Sequence, residues 1–77
     1  MTVTIQGHTY EMERKKFNEY IKQIKKMLPK KQIIIIAIEK NGHVEMRNDV
    51  FKTQKDLTEA ICSWNEKGYT VKYSRGL

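Results

Sequence analysis

The chain is poor in the residues that pin small proteins together. It has one cysteine, Cys62, so no disulfide can staple a monomer, and a reducing compartment suits it. Beside Cys62, only His8 and His43 could serve as nitrogen or sulfur ligands, too few for a structural zinc site. The four glycines, Gly7, Gly42, Gly68 and Gly76, stand alone, so none builds a phosphate-cradling loop. Each reads instead as a turn, a cap or a tail. The longest apolar run, Ile33 to Ile38, is six residues, far below the ~20 that span a bilayer. With no apolar leader after Met1, the expectation is a cytoplasmic protein that avoids membranes.

Catalytic groups are equally scarce. No paired carboxylates in an apolar setting suggest acid–base work. His8 and His43 fall in predicted turns. Cys62 falls on the polar side of a predicted helix near Glu59 and Glu66, where acids raise a thiol's pKa and blunt it. The expectation is a protein that binds rather than catalyses, without cofactor, metal or small-molecule substrate. Seventy-seven residues make a single domain, 1–77. A chain this short buries only about 60% of its unfolded surface, which leaves little room for a drug-sized cavity.

Positive charge is present in excess, and it is gathered in one place. The formal net charge is +6. From Arg14 to Lys31 there are eight basic residues (Arg14, Lys15, Lys16, Lys22, Lys25, Lys26, Lys30, Lys31) and one acid, Glu19. The rest of the chain holds seven basic and eight acidic residues, so it is close to neutral. Such lopsidedness steers a protein toward a polyanion or an acidic protein surface. A plain solvated face in a lysine-rich chain explains the same run.

Periodicity outlines the elements. Thr2–Gln6 and His8–Met12 alternate and fit a hairpin across Gln6-Gly7, with Val3 opposite Tyr10. The alternative starts a helix at Thr9 as N-cap. From Glu13 to Leu28 a helix is predicted. Its Phe17, Tyr20, Ile21, Ile24, Met27 and Leu28 fall within an arc of about 120°. Pro29 stops it. Gln32–Lys40 and His43–Val50 form a second hairpin across Asn41-Gly42, a pair suited to the positive φ of a type I′ turn. Thr53 and Asp56 match a capping box for a second helix with Leu57, Ala60, Ile61 and Trp64 on its core stripe. Gly68 caps that helix, and Tyr69–Tyr73 is the last strand.

The resulting fold class is α+β. Its order resembles the split βαβ, ferredoxin-like βαββαβ arrangement, with the N-terminal hairpin adding a strand to give ββαββαβ. That resemblance implies an antiparallel sheet with two helices on one face and the isoleucine strand at an edge. It implies no function.

The Asn-Gly turn sets a register of Lys40–His43, Ile38–Glu45, Ile36–Arg47 and Ile34–Asp49. Val44, Met46 and Val50 then mark the core face, and Ile34, Ile36 and Ile38 point away from it. An apolar edge strand invites a partner, so these three residues are a candidate homodimer or partner interface.

Two functional expectations follow. The first is a small nucleic-acid-binding accessory protein, of the kind phages and mobile elements carry. It would be dimeric through the isoleucines and would contact phosphates through Arg14, Lys15, Lys22, Lys25, Lys26, Lys30 and Lys31. Neither the aromatic RNP signature nor a GXXG loop is present, so the contacts would be weakly sequence-specific. The second is a protein–protein module, an inhibitor or adaptor, that offers the same strand and the same helix to an acidic protein.

Overall fold

A computed structural model describes residues 1–29 and 31–76. The predicted elements form: β1 (Thr2–Ile5), β2 (His8–Glu11), α1 (Arg14–Met27), β3 (Ile33–Lys40), β4 (His43–Phe51), α2 (Gln54–Glu66) and β5 (Thr70–Arg75). The N-terminal hairpin is a strand pair with Val3 opposite Tyr10, not a helix begun at Thr9. Both hairpin turns place their two central residues at positive φ, Gln6 (49°) with Gly7 (83°) and Asn41 (53°) with Gly42 (78°). That is the type I′ geometry, whose twist matches the flanking strands.

The five strands form one sheet in the order β2-β1-β4-β3-β5. The class is α+β, but the strand arrangement differs from the ferredoxin-like one. The last strand, β5, joins the edge of β3 instead of lying beside β1. The sheet is mixed, because β1 runs parallel to β4. Most importantly, β3 is an inner strand, paired with β4 on one side and β5 on the other.

The helices lie on opposite faces of the sheet, not on one. The route explains this. The crossovers β2-α1-β3 and β4-α2-β5 step across the sheet in the same lateral direction, but they start from strands of opposite direction. Two crossovers of the same hand then have to pass over different faces.

Two core layers result. Under α1, Phe17 and Ile21 pack on Val3, Ile34, Ile36, Ala37 and Val44, with Ile24, Leu28, Met46 and Tyr73 at the margin. Under α2, Leu57 packs on Ile33, Ile35 and Ile38, with Phe51, Ala60, Ile61, Trp64, Tyr69 and Val71 around it. Every residue from Ile33 to Ile38 is buried. The candidate interface residues Ile34, Ile36 and Ile38 are therefore interior, at 1%, 1% and 0% exposure, and offer nothing to a second chain.

Two irregularities reset the faces. Between Ile35↔Asp49 and Ala37↔Met46, Ile36 stands opposite two β4 residues, Arg47 and Asn48. The expected pairs Lys40–His43 and Ile38–Glu45 hold, whereas Ile34 meets Val50 instead of Asp49. A bulge of this kind lets Ile36 and Ala37 both serve the α1 layer. On β5, the shift between Ala37↔Tyr73 and Ile38↔Val71 turns Tyr73 toward Phe17 while Tyr69 and Val71 face α2. Val50, expected in the core, is half exposed.

Candidate polyanion surface and adjoining cleft

α1 presents three different strips. Its buried strip is Phe17, Ile21, Ile24 and Leu28. One flank leans toward β5, where Asn18 Oδ1 accepts a hydrogen bond from the Tyr73 hydroxyl (3.1 Å) and Lys25 Nζ sits 5.0 Å from the Tyr73 ring centre. At helical spacing, Arg14, Lys22, Lys15 and Lys26 continue from that flank over the outer surface. The opposite flank is the row Lys16, Tyr20, Gln23 and Met27, in which Tyr20 and Met27 border a cleft.

The structure brings most of the expected phosphate contacts together. Arg14, Lys15, Lys22, Lys25 and Lys26 are exposed on one helix, and Lys31 is exposed just beyond its end. Lys30 lies outside the described residues. Among the described residues, the ion pairs are Arg47 with Glu45 (3.7 Å) and Asp49 (2.6 Å), and Lys72 with Glu39 (3.2 Å). None of them involves α1 or Lys31.

This concentration of charge is costly to the helix. Lys22 has Lys25 and Lys26 three and four residues on, and like charges at those spacings cost a few tenths of a kcal/mol each. Arg14, Lys15 and Lys16 sit in the first turn, at the positive end of the helix dipole, and that turn holds no acid. Glu13 at the N-cap makes no side-chain cap bond. A bound anion relieves both repulsions.

Beside the apolar flank lies an open cleft of about 580 Å³, larger than the chain's length suggests. Ile24, Met27 and Leu28 of α1 overhang it, and Ile34, Ile36 and Met46 form its floor. Gln6 and Asn48 supply polar edges. Sequence reasoning missed this feature. The available signals were Tyr20 and Met27 at the margin of the α1 stripe, and the mismatch between a short β1 and a long β4.

Other polar groups make local contacts. Thr4 Oγ1 and His43 Nε2 lie 2.6 Å apart on the open half of the sheet, His43 being exposed to solvent. Arg47 is held by its hydrogen bond to Asp49, which raises its guanidinium pKa, and it stacks 4.8 Å from the Trp64 ring centre. Trp64 is thus a structural anchor, closed by Arg47, Lys67 and Tyr69. Cys62 is exposed. Among the described residues, no group of His, Cys, Asp or Glu could hold a metal. No helix among the described residues is long and apolar enough to cross a membrane. No protein-family model, curated protein or solved structure matches this chain.

Proposed function

We propose that the chain is a non-enzymatic binding protein that engages nucleic-acid phosphates through α1. One observation carries the reading: the basic side chains of α1 are exposed on a continuous surface that holds a single acid, Glu19, and among the described residues no ion pair engages them. Lysines act there as point charges on a regular helix. They fix position along a backbone but read no base edges. Arginine, the main bidentate reader of guanine, is nearly absent from the surface, so sequence preference is weak. Dimerisation through Ile34, Ile36 and Ile38 is not part of the proposal, since those side chains lie inside the subunit.

The test is a salt titration with duplex DNA and with duplex RNA. Five to six phosphate contacts predict a log–log slope of about −5, hence roughly a 1,000-fold loss of affinity from 50 to 200 mM salt. Lys22→Glu with Lys26→Glu flattens the slope by about 2. Since both sites are exposed, folding stability changes by no more than about 0.5 kcal/mol per site. Absence of salt-dependent binding to either duplex at 50 mM overturns the reading.

A further inference from the structure

The strand β4 is nine residues long and its neighbour β1 only four. The two pair at Thr2↔His43, Val3↔Val44 and Thr4↔Glu45, after which the chain leaves through the Gln6-Gly7 turn into β2. From Met46 to Phe51, β4 is therefore paired on its β3 side alone among the described residues. Six residues at about 3.3 Å each leave an open backbone edge of roughly 20 Å. An edge of that length is a template for another strand.

That open edge borders the cleft. Met46, Arg47 and Asn48 belong to both, and α1 overhangs from above with Tyr20, Ile24 and Met27. A strand laid beside β4 sends every second side chain toward the α1 layer, into apolar surroundings. Its other side chains point to the opposite, polar face, where Glu45, Arg47 and Asp49 stand. Exposed grease is gathered at the same place. Met27 is 83% exposed, and Val50, opposite Ile34 on the open stretch, is 52% exposed. The bulge opposite Ile36 falls in the middle of the stretch. Bulges of this kind occur preferentially at strand edges and beside binding sites.

We propose that this groove takes an extended segment of an acidic partner protein, added to the sheet as a strand beside β4 with alternate apolar side chains in the cleft. Charge selects the occupant. The chain carries +6, and the α1 row that borders the groove (Lys16, Tyr20, Gln23, Met27) holds one basic residue and no acid, with the helix's other lysines further out. A second copy would bring the same positive charge to the contact, whereas an acidic segment is drawn to it. Main-chain hydrogen bonds to β4 supply affinity, and the cleft supplies selectivity for apolar residues at alternate positions. The contacts are separate from the outer, phosphate-facing surface of α1, although the charge of that surface helps to draw an acidic segment to the groove.

The experiment pans a random heptapeptide library against the intact chain and measures the enriched peptide, fluorescein-labelled, by anisotropy. The enriched peptides are expected to be net negative with apolar residues at alternate positions. N-methylation of alternate backbone amides lowers affinity by about tenfold or more, because it removes the ladder bonds. Met27→Ser with Val50→Ser also lowers it by about tenfold, while duplex binding is unchanged, because both side chains are exposed and uncharged. Three results overturn the proposal: no enrichment, enriched peptides that lack alternation or tolerate N-methylation, or a sedimenting dimer that Val50→Ser dissociates. The last assigns the edge to a second copy.

Discussion

The two helical layers cover the same sheet, yet they are built to different standards. α2 lies close: its Cα atoms come within 8 Å of those in β3, β4 and β5, whereas no α1 Cα comes that near any strand among the described residues. The half-buried Ala60 permits the close approach, while Phe17, Ile21, Ile24 and Leu28 hold α1 away. α2 is also finished at both ends. Thr53 accepts from the Asp56 N–H at 3.1 Å. At the other end Tyr69 N–H bonds Trp64 O and Gly68 N–H bonds Asn65 O, with Gly68 at φ +89°. Those are the two bonds of a Schellman motif, and the Trp64–Tyr69 ring contact at 5.2 Å is its hydrophobic closure. α1 has no side-chain cap, no acid in its first turn, and a cleft beneath one flank. One layer is closely packed and capped at both ends. The other is left uncapped with an open groove beside it, a trade that fits the binding role proposed for it.

The largest test of this comparison concerns the strand both layers share. Ile36→Lys places an ammonium under α1, and Ile35→Lys places one under α2, each at a position no more than 1% exposed. Either substitution costs more than about 4 kcal/mol and unfolds a domain of this size. Circular dichroism at 25 °C checks this directly. A folded Ile36→Lys protein of ordinary stability would mean that the α1 face of β3 is not covered.

Next in size is a test of helix distance. Ala60→Leu pushes α2 off β3 and costs about 1–3 kcal/mol by urea unfolding. Met46→Phe, at the cleft floor, has room to expand and costs under about 1.5 kcal/mol. Equal losses would erase the difference in packing between the layers. Thr53→Ala comes third. It removes the one side-chain cap bond at α2 and costs about 1 kcal/mol, which lowers Tm by about 4–8 °C. Glu13→Ala at the corresponding position of α1 breaks no cap bond.

Much of the fold was legible because it is locally written. The Asn41-Gly42 turn, the Thr53 cap, the Gly68 stop and the Pro29 break each act over a few residues, and the elements they bound stand within about two residues of where those signals put them. The strand order was not legible in the same way. It depends on whether β5 joins β1 or β3, a choice made by burial across the whole sheet. One clue was present. Six consecutive apolar residues, Ile33–Ile38, mark a strand covered on both faces. An edge strand with one wet face alternates instead. Reading the run as exposed grease put Ile34, Ile36 and Ile38 on a surface they do not occupy. The bulge at Ile36 hid the rest, because an Asn-Gly turn fixes register only as far as the first irregularity. The basic surface was readable since charge on a helix needs no tertiary information. The open edge of β4 was not, since it exists only through the failure of a short neighbour to cover a long strand.

The smallest effect separates function from folding most cleanly. Lys15 lies in the first turn of α1, among Arg14 and Lys16 and at the positive end of the dipole. Lys15→Glu replaces a repelled charge with an attracted one, so it stabilises the helix by about 0.3–1 kcal/mol at low salt. The substitution also replaces the favourable Lys15–Glu19 spacing with a like-charge pair, and the two changes together take back about 0.4–1 kcal/mol. The net result is a Tm close to the parent's. If the lysines of α1 are there for stability, the variant should be weaker in every assay. If they are there for phosphates, the same variant binds duplex more weakly, with a shallower salt slope, while it unfolds no sooner than the parent. Thermal unfolding and a salt titration on one preparation distinguish the two outcomes. The second follows from a helix that keeps Arg14, Lys15 and Lys16 at the end where its own dipole opposes them.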